Sequence, residues 1–121
     1  MLLKNLYKVE SFKFENNQVN AEIVVNQDHE IFKGHFPDNP VMPGVCMIQI
    51  IKELTERATG LTLFMEKSRN IKFMALINPY KNPNLSLELT ITEEEGKWKV
   101  KNITKMEDTL ALKFSGTYRL A

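Results

Sequence analysis

Residues 43–60 read PGVCMIQIIKELTERATG, and here the pattern changes from extended segments to a helix. Apolar side chains cover more than half of the circumference over the first three turns, which is typical of a helix buried in the middle of a domain. We predict a helix from Gly44 to about Ala58, opened by Pro43, whose ring suits a first helical position, and ended by Gly60 as its left-handed cap. Such a helix needs other elements packed around it.

The rest of the chain has the patterns and turn residues of β-strands. Strand formers at 5–14 and alternating apolar residues at 18–26 flank Asn16 and Asn17, so these segments predict a hairpin. Further strand candidates follow the helix, at Leu61–Met65, Asn70–Ile77, Leu85–Thr92, Trp98–Thr104 and Leu110–Leu120. We therefore predict one α+β domain over residues 1–121, with a curved sheet of about six mostly antiparallel strands wrapped around the helix.

Composition narrows the class of protein. A hydrophobic content of 43% and a charged content of 26% are ordinary for a globular domain, and a net charge of +1 argues against broad electrostatic binding of nucleic acid. No apolar run approaches the roughly 20 residues that span a bilayer. No secretory signal is evident at the N-terminus, and a single cysteine, Cys46, excludes an intrachain disulfide. These features lead us to expect a cytoplasmic protein without a membrane span.

The segment before the helix contains the residues that imply a site. Residues 32–45 read FKGHFPDNPVMPGV, in which each proline fixes its own φ and pushes the preceding residue toward extended geometry. We therefore predict that this loop holds His35 in a defined place. Gly44 allows a ligand to approach the backbone N–H groups at the helix start. A titratable ring beside a helix N-terminus suits a substrate with a carbonyl group.

The string Gly34-His35-Phe36-Pro37-x-x-Pro40-Val41-Met42-Pro43-Gly44-Val45 resembles the signature of the 3-hydroxyacyl-[acyl-carrier-protein] dehydratases of fatty acid synthesis. Residues 71–79 are also similar to the strand that follows the helix in that family. The resemblance implies the hotdog fold, in which an antiparallel sheet wraps a central helix. It implies at least a homodimer with an acyl tunnel at the subunit interface, and a substrate carried by acyl carrier protein or coenzyme A.

The resemblance also implies roles for individual residues. In that family the loop histidine works with an acidic residue six positions after the proline that opens the helix. His35 stands at the histidine position, whereas Gln49 stands at the acid position. His35 is implied to accept the C2 proton of a 3-hydroxyacyl thioester, since its reference pKa of about 6.5 leaves it mostly neutral near pH 7. Gln49 can hydrogen-bond the 3-hydroxyl group but has no ionisable proton to give it.

The remaining substrate contacts lie in the loop and the first helical turn. Phe36 and Pro43 belong to the signature and are implied to bind the acyl thioester. The backbone N–H groups of Gly44 and Val45 are positioned in sequence to hold the thioester oxygen as negative charge develops. Glu53 lies one helical turn beyond the acid position on the same face, so it is either a substitute acid or a solvated surface residue.

Three functions stay open from the sequence. The first is a dehydratase that forms a trans-2-enoyl thioester in fatty acid or related lipid or polyene synthesis, with His35 alone returning the proton or Glu53 supplying it. The second is a catalytically impaired acyl-binding subunit whose partner, a homologous dehydratase, supplies the missing acid. The third is a hotdog acyl thioesterase, which would need a group that directs water at the thioester.

Other reactive side chains have simpler interpretations. We expect His29 to be structural and Cys46 to be a small buried apolar residue. The spacing of histidines, Asp38 and Cys46 does not predict a metal site, and no cofactor is expected. Five basic side chains near the helix end and the following strand form either a surface for an acidic carrier protein or a solvated face: Lys52, Arg57, Lys67, Arg69 and Lys72.

Overall fold

The computed structural model describes residues 4–33 and 40–121. Its elements are β1 (Tyr7–Glu15), β2 (Gln18–Val25), a short 3₁₀ helix (Glu30–Phe32), α1 (Gly44–Thr59), β3 (Leu63–Phe73), β4 (Asn84–Glu94), β5 (Lys97–Met106) and β6 (Thr109–Leu120). The strands form one antiparallel sheet in the order β1-β2-β4-β5-β6-β3. The prediction of an α+β domain with the hotdog fold is confirmed.

The first hairpin forms where the sequence predicts it. Asn16 and Asn17 both have positive φ, at 52° and 65°, and Glu15 pairs directly with Gln18. Two left-handed residues between paired strands make the type I′ turn that matches the twist of a hairpin, and asparagine tolerates this geometry well. The short turn fixes the register and thereby places the apolar residues of β2 on the inner face of the sheet.

Alternating side chains build the core. The inward residues of β2 and β4 are buried, and the pairs Ala21–Leu87 and Ile23–Leu85 lie opposite each other across the two strands. The helix contributes Cys46, Met47, Ile50, Ile51, Leu54 and Thr55 to the same interior. Because period-2 strands face a helix that is apolar on most of its surface, the sheet and the helix exclude water together.

Helix α1 begins and ends close to the predicted residues. It starts at Gly44, so Pro43 lies one position outside it, with extended φ and ψ of −62° and 141°. At the other end Gly60 adopts φ 73° and donates its N–H to the Glu56 carbonyl at 2.8 Å, as predicted for a left-handed cap. Within the described parts of the chain, no helix is both long enough and apolar enough to cross a lipid bilayer.

The strand after the helix differs from its prediction. The two candidates Leu61–Met65 and Asn70–Ile77 are one continuous strand, β3, with register shifts between Met65 and Lys67 and between Ser68 and Asn70. Such bulges insert extra residues without ending the strand, so a polar, exposed run separates two apolar ends of one element. The alternation rule cannot follow a strand through two bulges, and it therefore splits β3 in two.

The prediction of strand through Ile77 is also wrong, because β3 ends at Phe73. The N–H groups of Met74 and Ala75 both donate to the Ala111 carbonyl, at 2.8 and 3.3 Å. Ile77 is buried, and its carbonyl accepts the N–H of Met42 at 2.8 Å. Residues 74–77 therefore leave the sheet and pack beside the segment that leads into α1.

Candidate functional site

The predicted histidine and its neighbour Phe36 lie outside the described residues, in the segment 34–39. The roles of His35 and Phe36 therefore remain predictions. The structure does describe both flanks of that segment, where Phe32 on one side and Met42 on the other are buried in the core. The two flanks anchor the ends of the loop to the domain interior.

The other histidine, His29, has a structural role, as expected. Its Nδ1 accepts the Ile31 N–H at 3.0 Å and caps the 3₁₀ helix, while its Nε2 lies 2.9 Å from the Lys4 carbonyl oxygen. One ring nitrogen accepts a hydrogen bond and the other donates one, which is the neutral imidazole form with the proton on Nε2. Both nitrogens are engaged, so this ring has no nitrogen left for a substrate.

The start of α1 carries the predicted backbone donors. The Cys46 N–H already bonds the Pro43 carbonyl at 3.0 Å, and no side chain of the described residues caps the helix. The N–H groups of Gly44 and Val45 belong to the first turn, where an α-helix has no internal partners for its donors. The role of these two groups as donors for a thioester oxygen stays a prediction.

Gly44 makes a close approach possible, and in this structure the approaching group is Phe73. A Cβ atom added at Gly44 would lie 2.7 Å from Cζ of Phe73, closer than real Cβ contacts. The ring therefore rests on the helix start because glycine leaves the space for it. Phe73 is 55% exposed, so it borders this end of the helix rather than filling the core.

A cavity of about 270 Å³ opens at the same place, and we call it the helix-start cavity. Its walls come from the entry to α1, the first turns of the helix and residues 73–77: Val41, Met42, Pro43, Gly44, Met47, Phe73, Ala75, Leu76 and Ile77. Every one of these side chains is apolar, and the polar groups present are those of the backbone. A space of this kind suits an alkyl chain whose polar end meets the helix N-terminus.

Gln49 lines a second cavity, which we call the Gln49 cavity, also of about 270 Å³. It lies between α1 and the first residues of β3 and is lined by Ile48, Gln49, Lys52, Phe64, Met65 and Tyr118. The residue at the predicted acid position therefore faces open space between the helix and the edge of the sheet. Lys52 adds a cation to a wall that is otherwise mostly apolar.

Glu53 is held by two hydrogen bonds. The Tyr7 hydroxyl donates to its Oε1 at 2.6 Å, and Nε2 of Gln49 donates to its Oε2 at 3.0 Å. Burial, together with the bond to Glu53, raises the pKa of Tyr7 well above its usual value, so the hydroxyl keeps its proton and remains a donor. Sequence reasoning missed Tyr7, because nothing in the pattern of β1 indicates that this residue reaches the helix.

Glu53 is thus a fixed, partly buried carboxylate that contacts Gln49. Among the described residues, the side chains that line the Gln49 cavity do not include Glu53. Its role as a substitute acid stays a prediction. What the structure establishes is that Glu53 binds Gln49 through the amide of that side chain.

Tyr118 was also missed by the sequence analysis. Its side chain is completely buried against the Gln49 cavity, and its hydroxyl has no hydrogen-bond partner in the described part of the molecule. Burial, and then the nearby Glu56 carboxylate, raise the pKa of this hydroxyl well above its usual value. Alternation in β6 predicts a buried position for Tyr118, but it cannot indicate that the hydroxyl lacks a partner.

The remaining predicted residues can also be placed. Cys46 is buried, as predicted, and burial raises the pKa of its thiol. Lys52 faces the Gln49 cavity, and the Arg57 guanidinium carbon lies 4.6 Å from the centre of the Phe12 ring. The other three cations, Lys67, Arg69 and Lys72, are exposed along β3. The five basic side chains therefore divide between the helix and the edge strand.

Comparisons with known proteins show the family and the fold of the chain. The family model of ApeI-like proteins, described as ApeI dehydratase, matches residues 9–113. A 3-hydroxyacyl-[acyl-carrier-protein] dehydratase FabZ of Lactobacillus helveticus is 34% identical over 95 residues, which cover 72% of this chain and 63% of that protein. The FabZ of Bacillus cereus is 30% identical over 104 residues, which cover 79% of this chain and 71% of that protein.

The dehydratase heterocomplex ApeI:P of Xenorhabdus doucetiae has the same fold, with a TM-score of 0.75 and 16% identity over 93% of this chain and 96% of that one. The chain spans less than two thirds of the length of several of the curated relatives that it matches. The match to the family model nevertheless covers most of the chain, from within β1 to within β6, and it includes the loop and the helix. The chain belongs to the ApeI-like dehydratase family, and the resemblance that its loop signature indicates is confirmed.

Proposed function

We propose that this chain is a 3-hydroxyacyl-[acyl-carrier-protein] dehydratase-like protein, which removes water from a 3-hydroxyacyl thioester to give a trans-2-enoyl thioester. The observation that carries the proposal is the Gln49 cavity, because the residue at the family's acid position lines open space between α1 and β3. The family relationship supplies the reaction class. The acyl chain would come from fatty acid or related lipid synthesis.

The substrate would lie along the start of α1. The first-turn N–H groups of Gly44 and Val45 would hold the thioester oxygen, and one such donor is worth about 3 kcal/mol to the transition state. The alkyl portion would follow the apolar walls of the helix-start cavity. Phe73 would shield this region from water, because its ring already rests on Gly44.

The chemistry would depend on His35. Its neutral ring takes the C2 proton, the electron pair forms the C2–C3 double bond, and the C3–O bond breaks. The imidazolium formed in this way then returns its proton to the leaving oxygen, so water departs and His35 is regenerated. Proton transfer by a positioned side chain is typically worth about 10² to 10⁴ in rate. Because Gln49 supplies no proton, this single-base route would be slower than a two-residue mechanism.

A second candidate function is a partner subunit that binds the acyl chain and leaves the acid step to a homologous dehydratase. Two observations favour it: Gln49 is an amide already bonded to Glu53, and a neighbour with the same fold is a dehydratase heterocomplex. In such an assembly this chain would contribute His35 to one site. Gln49 would leave the other site without an acid.

Either function involves a second chain at the edge of the sheet. Among the strands that the structure describes, β3 pairs only with β6, and large apolar side chains are exposed on and beside it: Phe64, Ile71, Phe73, Val45 and Leu76. An open, long edge strand with exposed apolar residues is a site for pairing with another chain. We infer a homodimer, or a higher oligomer of dimers, with a heterodimer as the alternative. Sedimentation of the purified chain, alone and mixed with a homologous dehydratase, separates these cases.

The carrier and the compartment follow from the same proposal. Lys52 at the Gln49 cavity and the exposed cations of β3 suit the phosphate-bearing arm of an acyl carrier protein or of coenzyme A. Cys46 is a free, buried thiol, which is compatible with the reducing cytoplasm where we place the protein.

The test is to incubate the purified chain with a 3-hydroxyacyl carrier-protein thioester and to follow the enoyl product by mass spectrometry. His35→Ala is the diagnostic variant. His29→Asn is its matched control, because it replaces the other histidine with a residue that also caps helices. A homologous dehydratase is added in a parallel series.

Enoyl product that disappears in His35→Ala and persists in His29→Asn supports the dehydratase function. Product that this chain forms only together with the homologue, and that depends on His35 of this chain, supports the partner function. Release of the free carrier thiol without enoyl product would instead indicate a thioesterase and contradict both.

A further inference from the structure

The hydrogen bonds that join Tyr7, Glu53 and Gln49 determine which atom of the Gln49 amide is directed toward Glu53. An ionised carboxylate accepts hydrogen bonds and donates none. Both oxygens of Glu53 are occupied, one by the Tyr7 hydroxyl at 2.6 Å and the other by Nε2 of Gln49 at 3.0 Å. Gln49 must therefore turn its amide nitrogen toward Glu53. Its carbonyl oxygen, Oε1, is left free of this network.

The same side chain lines the Gln49 cavity. We propose that Glu53 and Tyr7 are positioning residues, which fix the Gln49 amide so that it presents Oε1 as a hydrogen-bond acceptor for the 3-hydroxyl group of the bound acyl chain. This inference rests on the proposed function. It adds a specificity: the site recognises a group at C3 that can donate a hydrogen, and it discriminates against a ketone, which only accepts.

The orientation also fits the elimination. When the hydroxyl hydrogen is donated to Oε1, the lone pairs of the hydroxyl oxygen stay free for the proton that the His35 imidazolium returns. Gln49 then orients the leaving group without protonating it. In a partner subunit the same contact would hold a 3-hydroxyacyl chain without removing its water.

The position of Tyr7 on a different element makes the network rigid. Tyr7 is the first residue of β1, and Glu53 lies in the middle of α1, so their bond joins residues that are 46 apart in sequence. Gln49 and Glu53 are separated by one helical turn on one face, which places them in direct contact. The Glu53 carboxylate is held by Tyr7 of β1, so it cannot rotate away from the Gln49 amide without losing its bond to Tyr7.

The test compares the affinity of three thioesters of equal chain length that differ only at C3: 3-hydroxyacyl, 3-oxoacyl and unsubstituted acyl pantetheine. All binding measurements use the His35→Ala background, so that no substrate is consumed. With Glu53 intact, we expect the 3-hydroxyacyl thioester to bind about 5-fold more tightly than the unsubstituted one, as one net hydrogen bond implies. The 3-oxoacyl thioester should bind no more tightly than the unsubstituted one.

Glu53→Lys reverses the polarity of the network, since lysine only donates and Gln49 must then turn Oε1 toward it. The amide nitrogen then faces the cavity, so the preference should shift from the 3-hydroxyacyl to the 3-oxoacyl thioester. Gln49→Leu should abolish both preferences. Glu10→Lys, the same charge change at an exposed carboxylate on β1, is the matched control and should leave the preferences unchanged.

If Glu53 has a purely structural role, Glu53→Lys would lower the affinity for all three thioesters by the same factor and leave the ratios of the affinities unchanged. That result would overturn the inference. Tyr7→Phe is a milder second variant that keeps the Glu53–Gln49 bond and should reduce the 3-hydroxyacyl preference without reversing it. If every acyl thioester fails to bind to the folded protein, the proposed function itself is wrong. If all three bind equally in every variant, the proposed function stands and the role of Glu53 falls.

Discussion

The hydroxyl of Tyr7 lies 2.6 Å from Oε1 of Glu53, and this contact joins the first strand to the middle of the central helix. The other oxygen of the same carboxylate accepts a hydrogen bond from Gln49, so Glu53 links Tyr7 to Gln49. The central helix, which is buried by packing, therefore also holds the Gln49 side chain in a fixed position beside the Gln49 cavity. The arrangement connects the stability of the fold with the geometry of the site.

Replacing Tyr7 by phenylalanine should lower the free energy of unfolding by about 1.5–2 kcal/mol. This is the lower part of the range for a hydrogen bond to a charged group, since the pair is only partly buried. Urea denaturation measures the change. Tyr80→Phe is the control, because Tyr80 is an exposed tyrosine whose loss should change the free energy by less than about 0.5 kcal/mol. Equal effects of the two substitutions would show that the Tyr7–Glu53 bond contributes nothing.

Tyr118→Phe, in contrast to Tyr7→Phe, should not lower the free energy of unfolding. The Tyr118 hydroxyl is buried and has no partner among the described residues, so removing it removes an uncompensated loss of hydration. We expect the protein to be unchanged in stability or more stable by about 1 kcal/mol. Thermal denaturation monitored by circular dichroism provides the measurement. A loss of more than about 1 kcal/mol would mean that this hydroxyl is bonded in solution.

The two tyrosines also predict how stability depends on alkaline pH. Burial raises the pKa of Tyr7 and of Tyr118 in the folded protein above the value of about 10 for an exposed tyrosine. Above that pH the unfolded chain releases both protons while the folded chain retains them, so the free energy of unfolding falls as the pH rises. Below it the contribution of both groups is fully present.

Denaturation of the wild type and of the double variant Tyr7→Phe, Tyr118→Phe between pH 8 and 11 tests this dependence (about one unit or more on each side of the reference pKa). The lysines titrate in both proteins, so only the difference between the two curves reports on the tyrosines. The wild type should lose more stability across this range than the double variant. Parallel curves would contradict the burial of these hydroxyls.

The glycine that begins α1 and the glycine that caps its end should respond differently to alanine. Gly60 has φ 73°, and no neighbouring atom lies within 4 Å of an added Cβ, so Gly60→Ala should cost about 1 kcal/mol through backbone strain alone. Gly44→Ala should change stability by less, because alanine favours the helix and the obstructing Phe73 ring is the exposed end of a side chain that can move. Its effect should appear instead as shifted NMR signals of Phe73. An unmoved ring would exclude the contact between Phe73 and Gly44.

Much of this fold can be predicted from the sequence because local rules and tertiary packing agree. Asn16 and Asn17 specify the first turn, alternation specifies the faces of β2 and β4, and Gly60 specifies the end of the helix. Agreement fails in β3, where two bulges interrupt the alternation. It fails again after Phe73, where the apolar residues 74–77 read as strand but pack beside the entry to α1.

The candidate site is predictable where it follows a local motif and unpredictable where it depends on register. Gln49 is located by counting from Pro43, and the structure places it at a cavity. Tyr7 contacts Glu53 only because β1 folds against the helix in one particular alignment, which no pattern within β1 encodes. The unpartnered hydroxyl of Tyr118 likewise depends on the packing of β6 against its surroundings.

The most direct test of the account is the rate at which wild-type protein and Gln49→Glu convert a 3-hydroxyacyl carrier-protein thioester to the enoyl product. A carboxyl group introduced at position 49 faces Glu53, and two neighbouring carboxyls share a proton, which raises the apparent pKa of the pair. The variant thereby gains the acid that the wild type lacks.

We predict that Gln49→Glu forms enoyl product roughly 10²-fold faster than the wild type, the lower end of the range for a positioned acid, and that His35→Ala abolishes the gain. A rate equal to that of the wild type, or a rate gain that persists in the absence of His35, would contradict the account. Either result would mean that the 3-hydroxyl group does not leave at the Gln49 cavity.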